Sequence, residues 1–153
     1  MLVAASFIVA GTVMTGTVLA TQDKRAAQME NERRKLDRTK DPEDRTESLM
    51  KIADIQLTYV TDAVGASDLS KMQTSLQEYR QTVSDARNTM MNSGLNPYKK
   101  SGGYRNVELG LRKHVRVLEE TAKRLTLAQR PPVEETIRII SAIHDEFLQV
   151  LFK

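Results

Sequence analysis

The sequence contains no cysteine, and this absence excludes several classes of protein. Without cysteine there is no disulfide framework, thiolate zinc site, covalently attached haem, cysteine nucleophile or lipobox-type lipid anchor. Tryptophan is also absent, and only three Phe and four Tyr supply aromatic rings. A chain of 153 residues has room for one domain, and its core must be built mainly from aliphatic side chains.

Catalytic and metal-binding motifs are equally scarce. There is no Gly-x-Ser-x-Gly sequence and no phosphate-binding fingerprint. The two histidines, His114 and His144, fall near the inward faces of predicted helices, but Leu111 and Ser141 occupy the positions where a two-metal helical site needs glutamate. A haem held by two His, or by His and Met, is the alternative that these residues leave open. We therefore predict no enzyme activity, no metal and no cofactor.

The first twenty residues carry no charged side chain, and the first charge is Asp23. A run of this kind is typical of a targeting segment, although its Thr and Gly make it less apolar than most membrane spans. Val18 and Ala20 provide small residues at the −3 and −1 positions of a signal-peptidase site, with Thr21 as the mature amino terminus. We predict a signal peptide over residues 1–20 and an exported protein, periplasmic or extracellular. An uncleaved membrane anchor and a buried core segment are the alternatives.

The charges around this segment run opposite to those of a standard signal peptide. No Lys or Arg precedes it, whereas Lys24 and Arg25 follow it closely. The positive-inside rule would then favour an outside amino terminus and a cytoplasmic body. We prefer a start that lacks its basic region over a reverse-oriented signal anchor.

Residues 21–40 form a polar segment with seven basic and four acidic residues. The residues favour a helix, but its apolar stripe of Ala26, Met29 and Leu36 is interrupted by Arg33. We predict a charged helical spacer exposed to solvent. Contact of its cations with an anionic membrane surface is the alternative.

Four amphipathic helices are predicted in residues 41–153, at about 42–64, 67–91, 104–127 and 131–151. Capping residues or prolines open them, and a glycine or a polar turn ends most of them. The second has a heptad seam typical of a coiled coil, made of Leu69, Met72, Leu76, Tyr79, Val83, Ala86 and Met90. The similar lengths predict an all-α fold, an antiparallel bundle of about four long helices. Two stacked helical hairpins are the alternative.

Basic residues concentrate in the loop 98–105 and along the third predicted helix. Between Lys99 and Arg124 there are eight basic and three acidic residues, and few aromatic residues stand among the cations. We therefore expect any anionic partner to be a membrane surface or a polyanion and not a nucleic acid. The candidate anion-binding residues are Lys99, Lys100, Arg105, Arg112 and Arg116. We prefer to interpret the loop as a flexible, solvated connection and the stripe as a solvated helix face, with anion binding as the alternative.

These observations predict a function in binding. We expect a non-catalytic, exported or membrane-anchored helical protein that acts as a protein-interaction or assembly module in the cell envelope, with a protein partner or self-association. The alternative is an anion-binding or ligand-binding module that uses the basic loop and the basic stripe of the third helix. The resemblance is only to helical bundles in general, and a fold does not assign a function.

Overall fold

A computed structural model describes the backbone of residues 16–152 and the side chains of Thr21 and residues 24–152. This part of the chain is all-helical and contains no strand, so the predicted all-α class is confirmed. The helices are α1 (Gly16–Arg38), α2 (Pro42–Gly65), α3 (Leu69–Met91), α4 (Gly102–Lys123) and α5 (Pro131–Phe152). Most of the predicted signal peptide lies outside the described residues. Within residues 16–152, no helix has both the length and the apolarity needed to cross a bilayer.

The helix boundaries follow from local capping. Asp41 accepts hydrogen bonds from the amides of Glu43 and Asp44 at 2.9 and 3.1 Å, and Pro42 opens α2. Asp68 caps α3 by accepting from the amide of Lys71 at 2.9 Å.

The third predicted helix differs most from the structure, because α4 begins two residues earlier than predicted and ends at Lys123. The chain then turns through residues 124–130, where the Arg130 guanidinium donates to the Leu125 carbonyl at 3.0 Å. That bond satisfies a carbonyl that a continued helix would have used. The buried Leu125 therefore belongs to the connection and not to a helix.

The helices pack as two hairpins lying side by side. Consecutive helices run antiparallel, and the two hairpins are α2 with α3 and α4 with α5. Across the hairpins α2 contacts α4, and α3 contacts α5. The α2 to α4 contacts advance in the same direction, from Glu43 with Gly103 to Asp54 with His114, so these two helices are parallel.

The core is formed by the apolar faces of the helices, and it includes the predicted seam of α3. Met72, Leu76, Tyr79, Val83, Ala86 and Met90 of α3 are each at most 1% exposed, so the seam is buried except at its first residue, Leu69, which is half-buried. A glycine allows α4 to approach α2 closely, because a Cβ at Gly110 would lie 2.6 Å from Cε of Met50. The largest buried side chains include Tyr79 and Phe147.

The segment predicted as a solvated spacer is helical but is also packed. α1 lies antiparallel on α2, with Met29 against Ile52 and Ile55 in a small separate cluster. Glu32 is buried although Arg33 is exposed, so the buried face is rotated from the predicted stripe. This face was hard to recognise in the sequence because one of its inward residues is charged.

Candidate functional site

A buried polar network joins three helices at the middle of the molecule. The Tyr79 hydroxyl on α3 lies 3.0 Å from Nδ1 of His114 on α4, and Nε2 of the same ring lies 3.0 Å from Oδ1 of Asp54 on α2. Lys113 Nζ contacts the same Asp54 oxygen at 2.8 Å. We call these four residues the His114 network.

The partners define the hydrogen-bond directions in this network. An ionised carboxylate only accepts, so Nε2 of His114 donates to Asp54; in the neutral ring Nδ1 then accepts from the Tyr79 hydroxyl. Burial opposes ionisation of Asp54, but hydrogen bonds from His114 and Lys113 outweigh it and lower the pKa of Asp54 to about 2. Burial, with the Asp54 charge nearby, raises the pKa of Tyr79.

The His114 network is suited to fixing helices in place and poorly suited to catalysis. His114 and Tyr79 are fully buried and cannot contact a substrate. Asp54 is the exposed end, and a carboxylate with a pKa of about 2 is a weak base at neutral pH. What the network does is hold Asp54 and Lys113 in fixed positions at the surface.

That exposed end opens into a groove of about 370 Å³ between α1 and α4, with α2 as its floor. We call it the α1/α4 groove. Its walls carry Arg25 and Gln28 from α1 and Lys113 and Val117 from α4. The floor, from α2, consists of Lys51, Asp54, Ile55, Leu57, Thr58 and Thr61. The volume falls in the range of ligand-binding clefts, and the lining combines apolar and charged side chains.

The cations of the groove are paired with carboxylates on α2. Arg25 contacts Asp62 at 2.6 Å and also donates to the Thr58 hydroxyl at 3.1 Å. Nζ of Lys51 lies 2.5 Å from the Glu47 carboxylate, and Nζ of Lys113 lies 2.8 Å from the Asp54 carboxylate. The charges in and around the groove are therefore close to balanced, so the groove has no strong preference for anions.

A second histidine cluster ties α4 to α5. Glu108 is buried, and its Oε1 accepts from Nε2 of His144 at 3.0 Å and from the Arg112 guanidinium. Burial disfavours the Glu108 charge, but hydrogen bonds from Arg112 and His144 prevail and lower its pKa. His114 and His144 thus bond to different carboxylates. No group of three or more metal-ligating side chains occurs in the part of the chain that the structure describes.

The predicted anion-binding residues occupy two connected surfaces. Arg105, Arg112 and Arg116 lie on the outer face of α4 and are exposed, as predicted for a stripe. Arg112 pairs with Glu108, whereas Arg105 and Arg116 form no ion pair with any described residue. Lys99 and Lys100 are exposed in the loop that leads into α4.

Near the loop, this region also contains two exposed rings, Tyr98 and Phe152, that were not predicted from the sequence to lie together. Tyr98 and Arg105 line a small cavity of about 150 Å³ together with Leu151 and Phe152, at the end of α5. We define the aromatic-basic patch as Tyr98, Lys99, Lys100, Arg105 and Phe152. Only the fold brings Phe152 to Arg105, so no local sequence signal could have found this pair.

The loop beneath this patch is held by specific hydrogen bonds. The Tyr104 hydroxyl donates to the Leu95 carbonyl at 3.0 Å, and the Asn96 side chain accepts from the Tyr98 amide at 2.9 Å. The amide of Lys100 also donates to the Asn96 carbonyl at 2.8 Å. Tyr98 and its neighbours are therefore presented on an anchored turn.

The amino terminus of α4 is itself occupied by a carboxylate of this chain. Glu43 accepts from the amide of Gly103 at 3.0 Å, and Ser101 makes no capping bond with its side chain. A helix start with free amides is a general anion site, but Glu43 already takes this amide. An external anion near the loop would thus meet the side-chain cations.

Comparisons with protein-family models, curated proteins and solved structures gave no match.

Proposed function

We propose that this protein is a non-catalytic interaction or assembly module that binds a protein partner, or a second copy of itself, in the α1/α4 groove. The observation that carries the proposal is a groove whose floor and one wall are held by the His114 network. A binding surface gains from such rigidity, because fewer side chains must be ordered when the partner binds. The low pKa of Asp54 and the burial of His114 argue against a catalytic role for the same residues.

The proposed setting is the cell envelope. We propose that residues 1–20 direct export and that the protein is periplasmic or extracellular, with membrane anchoring by the same residues as the alternative. We further propose that α2 to α5 act as one bundle of two antiparallel hairpins. The parallel contact of α2 with α4 supports the alternative arrangement, two stacked hairpins, over the predicted antiparallel bundle of four helices.

Site-specific photocrosslinking in the full chain tests the groove. A photoreactive residue at Gln28 faces the groove, and one at the exposed Gln77 of α3 is the matched control. The proposal predicts a defined adduct from Gln28 and none from Gln77, either with one partner or with a second copy. Light scattering after size-exclusion chromatography separates these two cases. A monomer that gives no adduct at Gln28 in envelope extracts would refute the proposal.

The second candidate function is anion binding through the basic loop and the outer face of α4. It is favoured by Arg105 and Arg116, two exposed cations with no carboxylate partner among the described residues. Replacing Lys99, Lys100, Arg112 and Arg116 with Gln should abolish binding to a soluble polyanion such as heparin. Absence of binding by the unmodified protein would end this candidate.

A further inference from the structure

We propose that the aromatic-basic patch docks on the surface of an anionic lipid bilayer, with Tyr98 and Phe152 at the headgroup boundary and the three cations against the headgroups. The inference rests on the second candidate function and names its anion as the lipid headgroup. It concerns a different surface from the α1/α4 groove.

Exposure of apolar side chains is the first argument. Tyr98 is 65% exposed and Phe152 is 79% exposed, and both line the same small cavity. One helical turn beyond Arg105 on the outer face of α4, Leu109 is 57% exposed. Among the described residues only one other large apolar side chain is comparably open, Leu127 at the opposite end of α4. Three of the four are thus gathered around Arg105.

Charge is the second argument. Lys99, Lys100 and Arg105 add three cations beside the two rings, and no carboxylate lines the cavity between Tyr98 and Phe152. Basic residues near an anionic leaflet contribute about 1 kcal/mol each, and aromatic residues favour the boundary between headgroups and hydrocarbon. Binding of a protein to a bilayer surface increases with the apolar area it buries and with its attraction to anionic lipids, and this patch offers both.

The shape of the site separates a membrane from other anions. The cavity of about 150 Å³ is smaller than the clefts that bury small ligands. Proteins that bind single-stranded nucleic acid typically stack successive bases on rings along a basic groove, and only two rings are exposed here. Both rings are exposed, Tyr98 on an anchored turn and Phe152 in the last turn of α5, so both are accessible to a flat surface.

The lack of tryptophan allows a site-specific test in the full chain. Phe152→Trp places a single fluorophore in the patch, and Leu127→Trp places one at the other end with nearly equal exposure, 79% against 80%. With vesicles of phosphatidylcholine and phosphatidylserine, the Phe152→Trp emission should shift to the blue and be quenched by lipids brominated near the headgroup. Leu127→Trp should show neither effect. Insertion of Leu127→Trp alone would overturn the proposal.

A charge series tests the cations with a matched control. Lys99→Gln, Lys100→Gln and Arg105→Gln together should weaken the serine-lipid-dependent part of vesicle binding about 100-fold, which corresponds to about 1 kcal/mol per cation. The control carries Arg33→Gln, Lys71→Gln and Arg80→Gln, three cations without ion-pair partners among the described residues, and should bind within about three-fold of the unmodified protein. Equal losses in both variants would show a net-charge effect and overturn the proposal.

Soluble anions separate this inference from the candidate on which it depends. Binding to heparin, with no dependence on serine lipid in vesicles, would keep the anion-binding candidate and overturn the membrane inference. Binding to neither would overturn both. If the unmodified protein binds vesicles in a phosphatidylserine-dependent way and loses that dependence when the three patch cations are replaced, the result supports both the anion-binding candidate and the membrane inference.

Discussion

The His114 network predicts strong coupling between two buried residues, Tyr79 and His114. Tyr79→Phe removes only the hydroxyl and leaves Nδ1 of His114 without a partner in the core. His114→Leu does the reverse, because it leaves the Tyr79 hydroxyl buried and unpaired. The double variant replaces both polar groups with apolar ones and leaves neither of them unsatisfied.

The expected sizes follow from the burial of the pair. An unsatisfied buried polar group costs about 1–3 kcal/mol, so each single substitution should lower the free energy of unfolding by that amount. The double variant should be more stable than the sum of the singles predicts, by about 1–2 kcal/mol. For a chain of this length each 1 kcal/mol corresponds to about 2–4 °C in Tm.

Urea unfolding followed by circular dichroism at 222 nm measures all four free energies in the full chain. Equal m-values across the four proteins would show that the same unfolding transition is being compared. Singles that add to the double within about 0.3 kcal/mol would refute the reasoning, since they would show that Tyr79 and His114 do not share a hydrogen bond that matters. A double variant less stable than the sum would also refute it.

Three further predictions concern charge and backbone conformation. The pKa of Asp54 is lowered from 3.8 to about 2, and this shift should contribute about 1 kcal/mol to the free energy of unfolding, after a discount for a carboxylate that is 45% exposed. The contribution is present above pH 4 and is lost as the pH falls toward 2. Acid unfolding curves of Asp54→Asn should lack this dependence on pH. Gly94 has φ 71° and Ser67 has φ 57°, a left-handed conformation that favours glycine. In urea titrations Gly94→Ala should therefore lower the free energy of unfolding by about 1 kcal/mol. Ser67→Gly should raise it by up to about 1 kcal/mol. Glu43→Ala should cost about 1 kcal/mol and accelerate amide exchange at Gly103, and unchanged exchange would contradict the assigned cap.

Helix positions could be predicted from the sequence because their signals are local. Asp41 and Pro42 cap and open α2, Gly65 is its last residue, and Pro131 opens α5, as their residue types indicate. The α3 seam is buried because a three-and-four spacing places residues such as Met72 and Val83 on one face of any helix.

The pairing of the helices could not be read in the same way. A periodic apolar stripe states which face is buried but not which helix covers it, so the parallel contact of α2 with α4 carries no sequence signal. Asp54 and His114 are 60 residues apart and have no spacing rule that joins them. The same holds for Tyr98 and Phe152, which meet only because α5 ends beside the loop before α4.

The parallel contact of α2 with α4 has an electrostatic consequence at both ends of the pair. Parallel neighbours place two positive dipole ends side by side at their amino termini and two negative ends at their carboxyl termini. Glu43 lies between the two starts, on the amide of Gly103, while the Arg124 guanidinium lies beside Gly65 where both helices finish. A carboxylate at one end and a guanidinium at the other offset the repulsion of two aligned dipoles, by about 0.3–1 kcal/mol at each end. Exchanging the two charges would make each end repulsive, so this pair of side chains helps to select the parallel arrangement over an antiparallel one.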